Sequence, residues 1–493
     1  MSKQNKFLAF IDSLTMYKAV LYSLIFLFAS SLVASVFDYT YFKPITLLLS
    51  LATITSVTVA SNFLLSKLYK VIPNPESALI TSLILLFLFS PPTTSTEYFT
   101  LIIAGIIASS SKYLFNFNMV HIFNPAAIAA VITPLLGFDG AIWWVATPVL
   151  IPSTLIVALY LIRKLRRFEL ALSYFGGLIL GLIISKQLTQ NNFSTFLPEI
   201  LISWPTIFFA SIMLIEPLTM PNKNKLLNLF GILVGFLGAN QYHLGPVFSS
   251  PELSLVIGNI FAFVLSNKKR YFLQLINKEL VADNTYQFSF RSTPPVSFNP
   301  GQYLEWSLSH HNPDIRGIRR YFTISSSPTE KEIKLTFKLF SPPSSFKNEF
   351  SKLKVGYKIQ ASHIAGDFTP QVSADNLVFI AGGIGITPFR SIIRYYLDKN
   401  FKKNIYLLYA STNEGDFAFK ELFQQASKQI GLQTNYFVSS KGQKITTDTI
   451  REIKNYQNYT YFISGPDAMV KHYKSILRSL GIHKIKTDYF PGF

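Results

Sequence analysis

Ten apolar stretches follow one another through the first 270 residues, at roughly 18–37, 44–65, 77–90, 98–111, 119–136, 141–162, 172–186, 198–216, 226–240 and 253–267. So many apolar runs cannot share one water-soluble core. Lipid leaves backbone groups no water to bond, so such runs become helices that satisfy themselves. Residues 1–270 therefore read as a polytopic α-helical membrane domain of about 10 transmembrane helices. Several stretches fall short of the ~20 residues of a simple span. Pro148 and Pro152 interrupt the sixth, and such breaks are tolerated where backbone lines a cavity or site.

The rest of the chain has another composition. Residues 1–270 hold 17 of the 45 Lys+Arg and 9 of the 26 Asp+Glu, leaving 28 and 17 for residues 271–493. That split explains how 49% hydrophobic residues and a mean hydropathy of +0.31 coexist with a net charge of +19. Basic residues in the first half cluster before the first stretch (Lys3, Lys6) and after every even-numbered one. The later groups are Lys67 and Lys70; Lys112; Arg163, Lys164, Arg166 and Arg167; Lys223 and Lys225; Lys268, Lys269 and Arg270. Opposite loops carry only Lys43 and Lys186, beside Asp38, Glu97, Asp139, Glu199 and Glu252. The positive-inside rule then places both termini and the second half in the cytoplasm, at a bacterial-type cell (inner) membrane, with membrane lipid as a partner. Met1–Lys18 is polar, so the first span is expected to act as a signal anchor rather than a cleaved signal. With the basic excess explained by topology, no nucleic-acid partner is expected.

Cysteine is absent. Disulfides, thiolate nucleophiles, Cys-zinc sites and Cys-ligated iron–sulfur clusters are excluded, and no metal ligand set is apparent. His121 and His243 are the only histidines of the membrane half, too separated for paired haem ligands. Glu216, before Pro217, is an acidic residue at a helix end, either intramembrane and functional or interfacial. Gly177 and Gly181 form a small-xxx-small pair, most simply a helix contact.

The segment His121-Ile122-Phe123-Asn124-Pro125-Ala126 resembles the HxFNPA-type signature of the membrane flavin subunits of sodium-translocating NADH:quinone reductases and Rnf complexes. Ile215-Glu216-Pro217-Leu218-Thr219-Met220-Pro221 is similar to that family's second signature, with Glu where Asp is usual. The resemblance spans about residues 40–265. It implies about ten helices and a flavin phosphate-linked to a threonine of an S-G-A-T motif. Here Val145-Ala146-Thr147-Pro148 keeps Ala-Thr-Pro, which makes Thr147 the candidate anchor for FMN. An ordinary helix threonine is the alternative. Riboflavin is a further cofactor in view.

After Arg270 the pattern alternates. Strands are expected at 271–280, 285–291, 303–308, 321–325 and 334–339, punctuated by Pro294-Pro295 and Asn299-Pro300-Gly301, which suggests an antiparallel β-barrel over 271–373. From 374 to 493 a strand, glycine turn, helix and strand sequence suggests an α/β nucleotide-binding domain. In Arg320-Tyr321-Phe322-Thr323 an Arg fork suits a pyrophosphate, and Phe322, two along a strand, points to the same side to flank a flat ring. Val378–Pro388 runs a buried strand into Gly382-Gly383-Ile384-Gly385-Ile386-Thr387-Pro388, where a pyrophosphate can approach backbone and a helix N-terminus.

These motifs resemble the ferredoxin–NADP reductase family, an FAD/NAD-binding oxidoreductase family, over nearly all of 271–493. The resemblance makes Arg320, Phe322, Thr323 (at the flavin N5 edge), Ser325, Ser344, Ser345, Gly366, Asp367 and Phe368 the FAD residues. It makes Gly382, Gly383, Gly385, Thr387, Pro388, Gly465 and Pro466 the NAD(P) residues. Ser464 stands where the family has a cysteine near the hydride path, and Phe493 ends an aromatic tail that shields the flavin in relatives or is simply packed. No Arg follows Ala410; Ser411-Thr412-Asn413 with Glu414 and Asp416 favours NADH over NADPH. The expectation is a membrane-bound FAD-dependent NAD(P)H oxidoreductase. NADH would reduce FAD, then membrane flavin, then quinone or an outer-face acceptor, with other redox subunits as partners. A redox-driven Na+/H+ translocase and an anchored NADH:flavin or ferric reductase stay open.

Overall fold

The computed structural model describes residues 14–69, 75–117, 120–189, 205–221, 224–240, 242–244, 247–265, 270–310, 313–314, 317–371 and 376–488. The chain divides into two compact units between Lys269 and Arg270.

The first unit is helical: α1 (Met16–Val36), α2 (Pro44–Leu68), α3 (Pro75–Leu88), α4 (Ser95–Leu114), α5 (Pro125–Leu135), α6 (Ile151–Leu165), α7 (Phe168–Thr189), α8 (Asn224–Ala239) and α9 (Pro251–Leu265). Between α7 and α8 a turn at Thr206–Phe208 widens into a π-turn over Phe209–Met213. Among the described residues, Met16–Val36, Pro44–Leu68 and Pro148–Leu165 are long and apolar enough to cross a membrane. Further apolar helices, such as Pro75–Leu88 and Pro125–Leu135, are shorter.

Two expected spans are not continuous helices. Over 119–136 the chain makes a small hairpin, β1 (Asn116–Phe117) with β2 (Val120–His121), before α5. A second short antiparallel pair, β3 (His243–Leu244) with β4 (Val247–Phe248), precedes α9. Asn124 caps α5 by accepting from the Ala126 and Ala127 N–H groups at 3.1 and 3.0 Å, and Pro125 sits where a missing N–H costs nothing. Over 141–162, residues 141–147 are not helical. They serve the open end of α3 instead: the Ile142 and Trp143 N–H groups donate to Leu88 O at 2.8 and 2.9 Å, and Trp144 Nε1 donates to Leu86 O at 2.5 Å. Those carbonyls have no intrahelical partner, so the loop replaces one. Helices α7 and α8 interlock through glycine. A Cβ on Gly177 would lie 2.2 Å from Ile232 O, and one on Gly235 would lie 2.1 Å from Tyr174 O. The small-xxx-small pair is thus a packing contact.

The second unit starts with six antiparallel strands: β5 (Tyr271–Ala282), β6 (Thr285–Thr293), β7 (Tyr303–Ser307), β8 (Arg319–Thr323), β9 (Ile333–Lys338) and β10 (Lys358–Ala365), in the order β8-β7-β10-β5-β6-β9. The five expected strands form, and β10 is added. The edge strands β8 and β9 meet through one isolated bridge, Ile324 to Leu335, rather than a continuous ladder. Helix α10 (Ser345–Ser351) inserts Phe346 and Phe350 into an aromatic core with Phe288, Phe290, Trp306 and Phe337.

A five-stranded parallel sheet follows: β11 (Asn376–Gly382), β12 (Asn404–Ser411), β13 (Gln433–Val438), β14 (Thr460–Ser464) and β15 (Ile485–Thr487), in the order β13-β12-β11-β14-β15. It is covered by α11 (Thr387–Asp398), α12 (Lys420–Ile430), α13 (Thr447–Arg451) and α14 (Asp467–Ser479). β11 is apolar from Leu377 to Ala381 because both faces are buried there. Leu377, Phe379 and Ala381 join one core; Val378 and Ile380 join the other. The chain runs outward from β11 to β13, then returns to β14. The strand order therefore reverses between β11 and β14, and ligands of open α/β sheets bind outside the strand ends at such a point.

Candidate functional site

The two strands flanking that reversal end in the two glycine turns singled out from sequence. β11 ends at Gly382, and Gly383, at φ +52, turns the chain into α11. Thr387 opens α11 and its hydroxyl donates to Ile384 O at 3.2 Å; Pro388 follows in the first turn. From the neighbouring strand, Ser464-Gly465-Pro466 closes on these glycines. A Cβ on Gly385 would stand 2.4 Å from Ser464 O, and one on Gly382 would stand 2.3 Å from Met469 Sδ. Bare backbone at both turns, at the start of α11, is what a dinucleotide pyrophosphate requires. Ser464 is buried, and its hydroxyl donates to Asp488 Oδ2 at 3.1 Å. Asp488 opens the C-terminal aromatic tail, and its pairing with Ser464 is not expected from sequence. Phe493 lies outside the described residues.

On the antiparallel sheet, alternation along β8 places Arg320 and Phe322 on one side. Arg320 lies over the Phe346 ring at 5.3 Å, and Phe322 stacks on Phe337 with ring centroids 5.8 Å apart. Tyr321 turns the other way, donating to Glu305 Oε2 at 2.6 Å. Ser344 caps α10, accepting from Lys347 N–H at 3.3 Å. The buried Arg320 guanidinium and the Ser345 N–H converge on one carboxylate, donating to Asp314 Oδ1 at 2.6 Å and Oδ2 at 3.2 Å. An anion thus already sits between the two expected phosphate contacts, so the donor set fits a phosphate. Thr323 is buried opposite Tyr303.

Gly366, at φ +110, leaves room for the Tyr303 ring, which a Cβ would meet at 3.1 Å. The Asp367 carbonyl accepts from Lys486 Nζ at 3.3 Å. Two expected cofactor residues are used inside the protein. Phe368 is built into the nucleotide-domain core, edge-on to Phe389 and Phe462. Ser325 is fully buried, and its hydroxyl bonds Lys334 O and Thr336 Oγ1 within the sheet, both at 2.9 Å. The carboxylates that favoured NADH are also engaged. Glu414 pairs with Lys441 at 2.5 Å, and the buried Asp416 pairs with Lys338. Burial pushes the Asp416 carboxyl up, but Lys338 and the Asn413 N–H outweigh it and hold it below its ordinary range.

In the first unit the two signature segments meet. His121 Nε2 lies 3.0 Å from Glu216 Oε1. Asn259 links them, accepting from Asn124 N–H at 2.8 Å and donating to Thr219 O at 3.1 Å. Thr219 Oγ1 donates to Glu216 Oε2 at 3.3 Å. Lys112 Nζ donates to Ser77 O, Ser77 Oγ and Thr81 Oγ1 at 2.9–3.1 Å. A mostly apolar cleft is lined by Tyr17, Thr81, Asn124, Ile212 and Glu216, among others. Thr147 precedes the turn Pro148–Leu150. Its hydroxyl is buried and has no hydrogen-bond partner among the described residues. Nor do the described residues contain a cluster of three or more metal-ligating side chains.

Comparison with known proteins supports the reading of the second unit. Residues 379–475 match the family model "Oxidoreductase NAD-binding domain". The flavohemoprotein of Candida norvegensis is 28% identical over 196 residues, covering 39% of this chain and 49% of that one. Flavohemoprotein A of Dictyostelium discoideum is 25% identical over 224 residues, covering 42% and 56%. The chain spans about half the length of these relatives. The flavohemoprotein-like FAD/NAD-binding domain of nitric oxide dioxygenase from Vibrio cholerae aligns with TM-score 0.40 at 18% identity, over 44% of this chain and 98% of that one. The C-terminal part carries an oxidoreductase NAD-binding domain and is similar to ferredoxin–NADP reductase-like FAD/NAD-binding domains such as those of flavohemoproteins.

Proposed function

We propose that the protein passes electrons from NADH through FAD in the second unit to flavin in a membrane-embedded first unit, and from there to quinone or an outer-face acceptor. FAD, when bound, supplies the exchange between hydride and single electrons. In this reading Arg320 and the Ser345 N–H hold its phosphates, Phe322 and Thr323 border its ring, and Gly382–Pro388 with Gly465 and Pro466 seat the pyridine nucleotide. Ser464, with Asp488 behind it, faces the hydride path. NADH is favoured by Ser411-Thr412-Asn413, where no Arg awaits a 2′-phosphate, and no longer by Glu414 and Asp416.

The observation that carries the membrane reading is the meeting of His121 and Glu216, 95 residues apart in sequence, beside a mostly apolar cleft. That cleft is the proposed seat of a non-covalent flavin, and Thr147, with its orphan hydroxyl, is the proposed anchor of a phosphate-linked FMN. Ten membrane spans with cytoplasmic termini belong to the same proposal, supported by the distribution of loop charges. Redox-driven Na+ or H+ translocation is a second reading, favoured by the ionisable His121, Glu216 and Lys112 within the helical unit.

The test is cofactor content of the full-length protein in detergent, with flavin fluorescence of the denatured band. FAD plus a fluorescent band lost in Thr147→Ala is the expected result. FAD as the sole flavin would sink the relay and leave an anchored reductase. Sodium- or proton-dependent NADH oxidation in proteoliposomes decides the second reading.

A further inference from the structure

Between the antiparallel sheet and the nucleotide domain lies a network that none of the cofactor contacts above uses. Arg390 sits three residues after Thr387, on the buried face of α11, and is 7% exposed. Its NH1 donates to Ser325 O at 2.9 Å, and its fork engages both carboxylate oxygens of Glu330, NH2 to Oε1 at 2.9 Å. Glu330 is fixed in turn by the Ser327 N–H at 2.6 Å and by Lys334 Nζ at 3.2 Å. The next residue of α11 repeats the contact, Ser391 Oγ donating to Ser326 O at 2.6 Å. At the far end of the helix, Thr329 Oγ1 donates to Asp398 Oδ2 at 2.5 Å.

We propose that Glu330 and Arg390 form a positioning clamp that holds the flavin strand β8 in register with the pyridine-nucleotide helix α11. The inference rests on the FAD and NAD(P)H assignments above. The clamp grips the strand segment two residues past Thr323 and the helix three residues past Thr387. A shift at the clamp therefore reaches both cofactor-bearing elements within one turn. A buried ion pair adds little stability over apolar packing of the same volume, whereas a bidentate fork fixes a distance and an angle. Hydride transfer depends steeply on both, and a misplacement of about 1 Å costs on the order of 100-fold in rate. Arg390 acts through the Ser325 carbonyl, and Glu330 through Arg390 and the Ser327 N–H, not on the reacting atoms.

The experiment is anaerobic stopped-flow reduction of the bound flavin by NADH, and by NADH deuterated at C4, in the full-length protein. Glu330→Gln and Arg390→Lys keep the volume and break the bidentate geometry. Each is expected to slow reduction roughly 10- to 100-fold. FAD content and NADH affinity should stay within about threefold, and the isotope effect should rise as hydride transfer becomes the slow step. Unslowed reduction would overturn the clamp. So would a rate loss that merely tracks lost FAD, or a lower melting temperature at an unchanged rate per flavin. If both variants fail to fold, Ser391→Ala decides: a loss of about threefold or more supports the clamp, and wild-type kinetics reject it. Wild-type protein whose flavin NADH does not reduce would overturn the underlying reading as well; normal wild type with unslowed variants overturns the clamp alone.

Discussion

Gly385→Ala is the sharpest perturbation of the nucleotide turn. The new methyl would stand 2.4 Å from Ser464 O, 2.5 Å from Ser464 C and 2.7 Å from Gly465 Cα. Ordinary contact begins at 3.4 Å, so the turn after β11 and the turn after β14 must part by about 1 Å, the difference between 3.4 and 2.4 Å. All three neighbours are backbone, and no side chain can rotate away. Forced overpacking of this kind costs about 1–3 kcal/mol. For a unit of this size that lowers the melting temperature by roughly 2–12 °C. A separation of about 1 Å under the nicotinamide end should also slow flavin reduction on the order of 100-fold.

Gly382→Ala is the matched control. Its methyl would come as close, 2.3 Å, but to the Met469 sulfur, the far end of a flexible side chain. Met469 can change rotamer and Pro466 Cδ, at 3.1 Å, need yield by only a few tenths of an ångström, so both the cost and the rate loss should be clearly smaller than for Gly385→Ala. Stopped-flow reduction and thermal melting of both variants decide the matter. Equal damage from the two, or a silent Gly385→Ala, would refute the argument that backbone proximity makes this site.

Other expectations are shorter. Arg320→Ala removes a charge-assisted donor worth about 1.5–3 kcal/mol, so FAD retained per mole of protein should fall roughly 10-fold or more; full retention would reject the phosphate assignment. Gly177→Ala drives a methyl to 2.2 Å from Ile232 O and should lower the denaturation midpoint in detergent, whereas Gly176→Ala, with nothing within 4 Å, should be silent. Burial raises the Glu330 carboxyl, but Arg390, the Ser327 N–H and Lys334 outweigh it and hold it below its ordinary value of 4.5. Its folded-state pKa is depressed, so its contribution to stability is present above about pH 4.5 and lost as pH falls through the folded value. Glu330→Gln should therefore flatten the acid limb of the melting curve, and an unchanged limb would contradict the pairing.

Much of this protein is written in local pattern. Apolar runs and charge distribution separate a helical half from a mixed strand-and-helix half, because burial and charge act residue by residue. The strand-to-glycine transition at Ala381–Gly383 is equally local, since a fully buried strand must be apolar and a turn at positive φ favours glycine. The Asn124-Pro125 helix start is legible for the same reason: capping is a matter of three or four residues.

Tertiary structure decided the rest. Nothing near Glu216 announces His121 as its partner, and nothing near Gly385 announces that Ser464 O leaves it no room. Phe368 and Ser325 look like site residues in their motifs, yet the fold places one in a core and the other within a sheet. Glu414 and Asp416 look like free carboxylates until Lys441 and Lys338 close on them. Arg390 and Glu330 carry no motif, because their meaning lies in a pairing across 60 positions. Composition and periodicity report what each residue prefers as a neighbour; only the folded chain chooses which neighbour it gets.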